Sequence, residues 1–288
     1  MGKPTVESLY EQVRASVPAA QDTTRPTLTP LAPGIRVLAL RTPTLPPAAH
    51  TNVYLVGPDR GPVAVVDPGS PYGDQQEVLD RELEGAGGVS QVLLTHHHGD
   101  HVGGAAALAA RWGVPIAAHA NTIRRLPKLA IERALEHGDV ISGATCVLTP
   151  GHADGHLCFE IGAATIAGDM VAGLGTILID PDEGDMALYL DSLEKLRARP
   201  QMMLLPAHGP AIPDGHAKLT EYLAHRRMRE QRVIDALACG GSVDELVGRA
   251  YADTPAALWP IAQRSLLAHL VKLQREGRAR EEDGRWSL

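Results

Sequence analysis

Short apolar runs alternate with amphipathic segments between residues 34 and about 214 of the chain. Apolar runs that end at Gly, Pro or Asp are typical of strands, and the spacing between them is typical of helices. The runs that predict strands are GIRVLAL, TNVYLVG, VAVVDPG, QVLLTHH, VPIAAHA, ATCVLTPGH, LCFEIGAATIAGD and MMLLPAHG. The segments that predict helices are DQQEVLDRELEGAG, GGAAALAARWG and DMALYLDSLEKLRARP. Strands separated by helices predict an α/β domain over residues 34–214.

The pattern changes after this domain, because helical segments now follow one another without strands. HAKLTEYLAHRRMREQRVIDALAC predicts one long helix, which ends at two glycines. Ser242 and Glu245 have the spacing of a capping box and predict the start of a second helix. PAALWPIAQRSLLAHLVKLQREGRA predicts a third helix, and DGRW predicts the turn of a short hairpin. We therefore expect residues 215–288 to form a helical linker and a winged-helix-like domain.

The N-terminal residues and the composition add predictions about the lead-in, the membrane and disulfides. Residues 1–33 are predicted to be an N-terminal lead-in, loose over its Pro- and Thr-rich part from residue 18. The chain has no apolar run of the kind that a secretory signal needs and no stretch of the roughly 18 to 20 residues that a membrane span needs. Three cysteines without a C-x-x-C pair argue against a disulfide framework. We therefore expect a cytoplasmic protein without a membrane partner.

The segment THHHGDHVGG, which follows the apolar run VLL, carries the densest candidate chemistry. Alternate residues of an extended segment project to the same side, so His96 and His98 can share a metal ion while His97 points away. Asp100 and His101 follow where the chain turns, in a position to contribute to a second ion. Neutral imidazole and carboxylate groups are ligands that zinc accepts. The segment therefore predicts a metal site.

Three more candidate ligands, each of which also follows an apolar run, are far from this segment in sequence. They are His152 in LTPGHADGH, Asp169 in ATIAGDM and His208 in LLPAHG. Each lies where a predicted strand gives way to a loop, and strand ends of one sheet edge meet in space. These side chains are therefore expected to join the same site.

The motifs THHHGDHVGG, PGH, GD and PAHGP, in this order, resemble those of the metallo-β-lactamase superfamily over roughly residues 34–214. The resemblance implies a four-layer αββα sandwich with two metal sites at one edge of the paired sheets. The ligands that it implies are His96, His98 and His152 at the first site and Asp100, His101 and His208 at the second, with Asp169 bridging. It also implies that Asp67 in VVDPG orients a ligand histidine through that residue's other ring nitrogen.

The chemistry that this resemblance implies is hydrolysis by two zinc ions per chain that share a hydroxide, with Asp100 and Asp169 as the catalytic carboxylates. No protein nucleophile is needed, and the sequence has no G-x-S-x-G elbow. TNVYLVG, TPGHADGH and the C-terminal segment resemble more narrowly the β-lactamase-like branch with a winged-helix tail. That branch includes a mitochondrial endoribonuclease and some thioesterases, and the metal motif is equally similar to that of glyoxalase II thioesterases.

The substrate is not determined by these motifs, because one di-metal site cleaves several kinds of bond. From Lys218 onward the chain has 12 Lys and Arg against 10 Asp and Glu, so the remainder, which holds the candidate site, carries a net charge of −9. Nucleases usually present basic surfaces, and aromatic residues, the platforms on which bases stack, make up only 3% of this chain. We therefore favour an acyl bond (thioester, ester or lactone) of a small or carrier-bound substrate.

Three alternatives remain open at this point. A single-strand endoribonuclease is favoured by the basic segment HRRMREQR, which could bind RNA. A β-lactam hydrolase is less favoured, because the commonest resistance enzymes have a cysteine where this chain has Asp169. A DNA-binding regulator with a metal-sensing domain would direct Arg264, Lys272 and Arg275 towards phosphates. In the favoured interpretation, the C-terminal segment forms one wall of the substrate cleft, and the oligomeric state is left open.

Overall fold

The protein's structure, a computed structural model, describes residues 6–17, 26–200 and 202–288. A seven-stranded sheet has the strand order β1 to β7. Its antiparallel half consists of β1 (Thr29–Ala32), β2 (Ile35–Arg41), β3 (His50–Val56) and β4 (Val63–Val66). From β4 onward the pairing is parallel, through β5 (Val89–Leu93), β6 (Ile116–His119) and β7 (Arg133–Leu135). The predicted strands of the first half of the domain thus form one mixed sheet.

A second sheet has five strands in the order β12-β11-β10-β9-β8. They are β8 (Val140–Ile141), β9 (Ala144–Leu148), β10 (Leu157–Ile161), β11 (Ala164–Gly168) and β12 (Met203–Pro206). Only β11 and β12 pair in parallel, because helix α6 connects them. Before α6 (Met186–Arg197) the domain contains α2 (Gly73–Ala86), α3 (Gly99–Val102), α4 (Ala105–Trp112) and α5 (Ala120–Arg125).

Alternation along the strands produces the four layers. In β4, Ala64 and Val66 belong to the core between the two sheets, whereas Val63 and Val65 face the helices that cover the first sheet. All four are buried, which explains why this strand reads as a continuous apolar run. Helix α6 covers the outer face of the second sheet, in a core that includes Tyr189 and Leu193. The predicted αββα sandwich is confirmed.

The C-terminal part contains α7 (Gly215–Leu237), α8 (Val243–Ala250), a short 3-10 helix (Ala256–Leu258) and α9 (Trp259–Arg275), followed by the hairpin of β13 (Arg280–Glu282) and β14 (Arg285–Ser287). The predicted capping box is confirmed, since Ser242 and Glu245 exchange both side-chain to backbone hydrogen bonds. Helix α7 packs into two cores. Its first half joins that of α6 through Leu219, and its second half joins that of α8 and α9 through Val233. The boundary at residues 214 and 215 stays a prediction.

Several elements with weak periodicity were not predicted from the sequence. Part of the predicted lead-in is structured, because α1 (Val6–Ser16) lies against α9 and buries Val13. The prediction of a loose lead-in is also wrong for β1, which pairs with β2. Residues 18–25 of the predicted lead-in lie outside the described residues. Strands β7 and β8 are too short for a pattern to be recognised. No helix among the described residues is long and apolar enough to cross a membrane, and the predicted cytoplasmic location stays a prediction.

The close approach of Gly69 to the loop that carries the candidate ligands generates a prediction. A Cβ atom at Gly69 would lie 1.7 Å from the carbonyl oxygen of Asp100, so the two backbones meet without room for a methyl group. We expect Gly69→Ala to lower the free energy of unfolding by about 1–3 kcal/mol, measured by urea denaturation. Gly73→Ala is the control, because nothing lies within 4 Å of its added Cβ. Equal denaturation midpoints for the two variants would contradict this interpretation.

Candidate metal centre and active site

The loop after β5 is held at both ends. The carbonyl of Thr95 accepts a hydrogen bond from the N–H of Leu157 in the second sheet (2.8 Å), and helix α3 begins at Gly99. His96 and His98 direct their rings to one place, with centroids 4.5 Å apart. The His97 ring lies 6.3 Å from that of His96, and its Nε2 lies 3.9 Å from a carboxylate oxygen of Glu183. The His97 ring lies 4.7 Å from that of His98, but His97 is not among the groups that converge with His96.

A first cluster forms where this loop meets the loops after β9 and β11. The Nδ1 atom of His98 lies 2.9 Å from Nε2 of His96 and 2.9 Å from Nε2 of His152, and the two Nε2 atoms are 3.2 Å apart. The Oδ2 atom of Asp169 lies 3.4 Å from Nε2 of His152. Four groups that could hold one metal ion therefore converge.

The second cluster shares a carboxylate with the first. The Nε2 atom of His208 lies 3.5 Å from Oδ2 of Asp100 and 3.4 Å from Oδ1 of Asp169. The same oxygen of Asp169 lies 3.6 Å from Nε2 of His101. Asp169 thus directs one oxygen towards each cluster. Its Oδ1 and the His101 Nε2 are buried without a hydrogen-bond partner among the described residues.

The outer nitrogens of the first-cluster histidines determine which tautomer each ring adopts. His152 Nδ1 donates to the carbonyl of Leu178 (2.9 Å), and His98 Nε2 donates to Glu183 (2.9 Å). His96 Nδ1 is 3.0 Å from the hydroxyl of Thr95, which can accept because its own proton goes to Asp67. Each neutral ring therefore directs a bare lone pair inward.

The second-cluster histidines follow the same rule. His208 Nδ1 donates to the carbonyl of His50 (3.0 Å), and His101 Nδ1 donates to Asp67 Oδ2 (2.8 Å). Their Nε2 atoms consequently face the carboxylates of Asp100 and Asp169 and are the atoms that can bind a proton or a metal ion. Lone pairs at these separations repel one another unless a cation lies between them. The donor set therefore fits one divalent ion in each cluster.

The electrostatics of the two clusters favour added positive charge. Burial and the neighbouring His98 lower the pKa of His152 to about 3, and burial also lowers the pKa of His96, so both rings remain neutral ligands. Burial alone would lower the pKa of His101, but Asp169, Asp100 and Asp67 together raise it well above its usual value. The field that stabilises a proton on His101 would equally stabilise a metal ion.

Asp67 links the strand ends behind the clusters. Its Oδ1 accepts from the backbone N–H of Thr95 (2.7 Å), and its Oδ2 accepts from the Thr95 hydroxyl (2.6 Å) as well as from His101. Asp67 is buried and has φ 52°, a backbone conformation that side-chain-bearing residues rarely adopt. The structure thus places Asp67 behind a candidate ligand histidine and away from the inner face of the cluster.

Two other histidines have supporting contacts. His156 Nε2 accepts from the backbone N–H of Asp169 (3.1 Å), so His156 orients the loop that carries this carboxylate. His119 caps helix α5, because its Nδ1 accepts from the N–H of Asn121. Neither histidine belongs to a group of potential metal ligands among the described residues.

Glu183 is the site residue that sequence reasoning missed. The hydrogen bond from His98 lowers the pKa of Glu183 to about 2, so the carboxylate is ionised. His97, His98 and Glu183 form a further group of potential metal ligands, but Glu183 approaches His98 at its outer nitrogen. The acidic segment DPDEGD was the only signal in the sequence, and no local spacing connects it with the histidine motif.

A cavity of about 550 Å³ opens beside both clusters. Its floor contains His98, Asp100, His152, Asp169 and His208. Most of the wall is apolar, and the C-terminal part contributes Tyr251, Leu258, Ile261 and Ala262. The expected C-terminal wall is therefore present, and α1 adds Tyr10 and Arg14, which the sequence analysis did not foresee.

The basic side chains of the C-terminal part are engaged within the protein. Arg264 pairs with Asp180 and Asp182, Lys272 pairs with Glu230 and Glu276, and Arg275 pairs with Asp185. The shielding of Arg264 and Lys272 in these pairs disfavours the hypothesis that the three side chains face DNA phosphates, whereas Arg275 is exposed. In the segment HRRMREQR, Arg227 pairs with Glu194, and both Arg229 and Arg232 pair with Asp253. Neither region offers a row of unpaired cations to a polyanion.

The family model described as Metallo-beta-lactamase superfamily matches residues 46–208. The chain belongs to this superfamily. The metallo-β-lactamase match spans the segments that contain both clusters, so the protein is a member of a hydrolase family with a histidine and aspartate cluster that could hold metal. A second model, described as Beta-lactamase associated winged helix domain, matches residues 242–286 and confirms the predicted winged helix.

Several curated relatives share this metallo-β-lactamase domain. Lactamase-like protein vrtG of Penicillium aethiopicum is 34% identical over 85% of this chain and 78% of its own length. Lactamase-like protein adaB of Aspergillus niger is 35% identical over 65% of this chain and 58% of its own length. Atrochrysone carboxyl ACP thioesterase AacuM of Aspergillus aculeatus is 33% identical over 65% of this chain and 59% of its own length. The chain thus spans less than two thirds of the last two relatives.

Solved structures show the same architecture over nearly the whole chain. A metallo-β-lactamase family protein of Thermus thermophilus superposes with a TM-score of 0.75 at 23% identity, over 90% of this chain and 99% of that one. A β-lactamase domain protein of Burkholderia ambifaria gives a TM-score of 0.78 at 24% identity, over 93% of this chain and 96% of that one. These similarities support the fold, including its C-terminal part.

The hydrogen bond between Asp67 and His101 can be tested by substitution. In Asp67→Asn, an amide nitrogen at the position of Oδ2 cannot accept the proton of His101 Nδ1, so the ring is no longer held in its metal-binding tautomer. We expect affinity for Zn²⁺ to fall roughly 10- to 100-fold, measured by competition with a chelating dye. Asp74→Asn, which alters an exposed ion pair with Arg41, is the control. Unchanged affinity, or an equal loss in the control, would contradict this role.

Proposed function

We propose that this protein is a di-zinc hydrolase that cleaves an acyl bond, preferably a thioester, of a small or carrier-bound substrate with an apolar acyl group. The observation that carries this proposal is the largely apolar cavity whose floor is formed by the two clusters. A cavity of this size suits a compact organic group. A flexible polyanion would need an open, basic track instead.

The residues proposed to hold the ions are those of the two clusters. His96, His98 and His152 would bind the first ion, and Asp100, His101 and His208 the second, with Asp169 between them. When bound, two zinc ions supply electrophilic activation of a carbonyl group and lower the pKa of water. With the ions in place, the carboxylates of Asp100 and Asp169 would be the groups that accept the proton released by the attacking water. Asp67 and Glu183 keep their histidines in the ligand tautomer.

The cavity wall is proposed to select the substrate. The side chains of Leu174, Ile177 and Ile261 surround the space above the clusters and exclude water from the acyl group. The open side of the cavity admits the thiol or carrier portion. One relative, AacuM, is named as an acyl carrier protein thioesterase, which supports a thioester over a β-lactam. The pairing of Arg229 and Arg232 with Asp253 weakens the endoribonuclease alternative.

The ligand assignment predicts metal content. Protein purified without chelator should contain about two zinc ions per chain, and treatment with a chelator should abolish hydrolysis. His98→Ala should lose metal and activity because its Nδ1 lies within the first cluster. The matched control is His97→Ala, which removes the neighbouring ring and should retain both properties. Elemental analysis and thioester hydrolysis measure the outcome, and loss of metal in His97→Ala alone would contradict the assignment.

The cavity predicts a size-dependent loss of activity. Ile261→Trp should fill part of the cavity, raising the KM for a long-chain or aromatic acyl thioester at least tenfold while changing that for an acetyl thioester less than threefold. Gln274→Trp, at an exposed position of the same helix, is the control. Steady-state kinetics with the two thioesters measure the ratio. An equal effect on both substrates would contradict the role of this wall, and cleavage confined to single-stranded RNA would contradict the proposed function.

A further inference from the structure

The segment from Thr176 to Asp185, here termed the support segment, contacts two candidate ligand histidines from outside. The carbonyl of Leu178 accepts the hydrogen bond of His152, and the carboxylate of Glu183 accepts that of His98, both at 2.9 Å. These contacts involve the nitrogens that face away from the first cluster. The position of the support segment therefore affects the direction of two inward lone pairs.

Arginines of the C-terminal helices hold the support segment along its length. Arg226 of α7 donates to the carbonyl of Ile177. Arg264 of α9 donates to both carboxylate oxygens of Asp180, at 2.8 and 2.6 Å, and also contacts Asp182. Arg275, further along α9, pairs with Asp185. The winged-helix part and the metal-site part are thus joined at the segment that orients the ligands.

Asp180 transmits the position of Arg264 to Glu183. The backbone carbonyl of Asp180 accepts from the N–H groups of Glu183 (3.2 Å) and Gly184 (2.7 Å), and its side chain accepts from the N–H of Asp182 (2.9 Å). The Asp180 side chain is 4% exposed, so its two-pronged pair with Arg264 is shielded from solvent. A shielded, bidentate pair fixes orientation far better than a surface ion pair does. Breaking it releases the turn on which Glu183 is carried.

We infer that Arg264 is a positioning residue for the metal ligand His98, acting through Asp180 and Glu183, so that the C-terminal part sets the metal affinity of the first cluster. This inference rests on the ligand set of the proposed function. It differs from a simple role in joining two parts of the protein, because it requires the effect of Arg264 to pass through the Glu183 carboxylate. The two roles make different predictions for combined substitutions.

The first test compares two substitutions that each remove one positive charge from α9. Arg264→Gln should weaken one of the two Zn²⁺ ions at least tenfold in a competition titration of the full chain, a loss of the size expected for an outer support of a ligand. Lys272→Gln is the matched control, because Lys272 pairs only with Glu230 and Glu276 of the C-terminal part among the described residues. It should change affinity less than twofold. Equal affinities for the two variants would overturn the inference.

The second test asks whether the effect passes through Glu183. Glu183→Ala should weaken Zn²⁺ binding by itself, and Arg264→Gln should add less than a threefold loss in that background. Glu183→Gln, which retains an acceptor oxygen, should restore part of the affinity. Fully additive losses from Arg264→Gln and Glu183→Ala would overturn the inference, because independent effects would then explain both.

A third measurement does not depend on metal or on hydrolysis, and so separates failure of this inference from failure of the proposed function. Long-range ¹H–¹⁵N spectra of the metal-free full chain report which ring nitrogen carries the proton. His98 should be the Nε2–H tautomer in the wild-type protein and in Lys272→Gln, and a mixture of tautomers in Arg264→Gln. An unchanged His98 spectrum in Arg264→Gln would overturn the inference, whether or not the protein proves to be a thioesterase.

Discussion

The outward hydrogen bond of each cluster histidine is the constraint on which the rest of the site depends. A neutral imidazole has one N–H and one lone pair, so an acceptor behind the ring decides what the front of the ring can do. Five rings are held in this way, by Thr95, Glu183, Leu178, Asp67 and His50. Thr95, Asp67 and His50 lie at strand ends of the first sheet, whereas Leu178 and Glu183 lie on the segment between β11 and α6.

The cavity beside the clusters is largely apolar although its floor consists of polar candidate ligands. The polar side chains of the clusters face one another, and most of the remaining wall is apolar, with Ile177, Leu258 and Ile261 among its residues and with Arg226 and Arg229 as charged members. Helix α7 is central to this arrangement because it packs against the sandwich and against the winged helix at once. The cavity wall and the metal clusters therefore meet in the support segment, which contributes Ile177 to the wall and supports His152 and His98 through Leu178 and Glu183.

Local patterns in the sequence predicted much of this structure. The site residues that they did not predict reach the site through contacts with residues far away in sequence. The capping box of Ser242 needs only a neighbour three residues away, and the alternation of His96 and His98 needs only an extended loop. By contrast, Glu183 reaches His98 across 85 positions, and nothing in the acidic segment around it has a period or spacing that specifies a partner. Tyr10 joins the cavity wall in the same unpredictable way, because packing of α1 against α9 decides its position.

The groups that accept the outer hydrogen bonds of the histidines are main-chain atoms in some cases and side chains in others. Only the side chains can be removed by mutation. His152 and His208 rest on main-chain carbonyls, those of Leu178 and His50, which survive any substitution at either position. His98 and His101 rest on the carboxylates of Glu183 and Asp67, which a single base change can remove. Each cluster therefore combines one histidine on a main-chain carbonyl with one on a replaceable carboxylate, and the first cluster adds His96, whose support is the Thr95 side chain. Metal affinity can drift through the replaceable carboxylates while the fold and the ligand residues themselves stay constant.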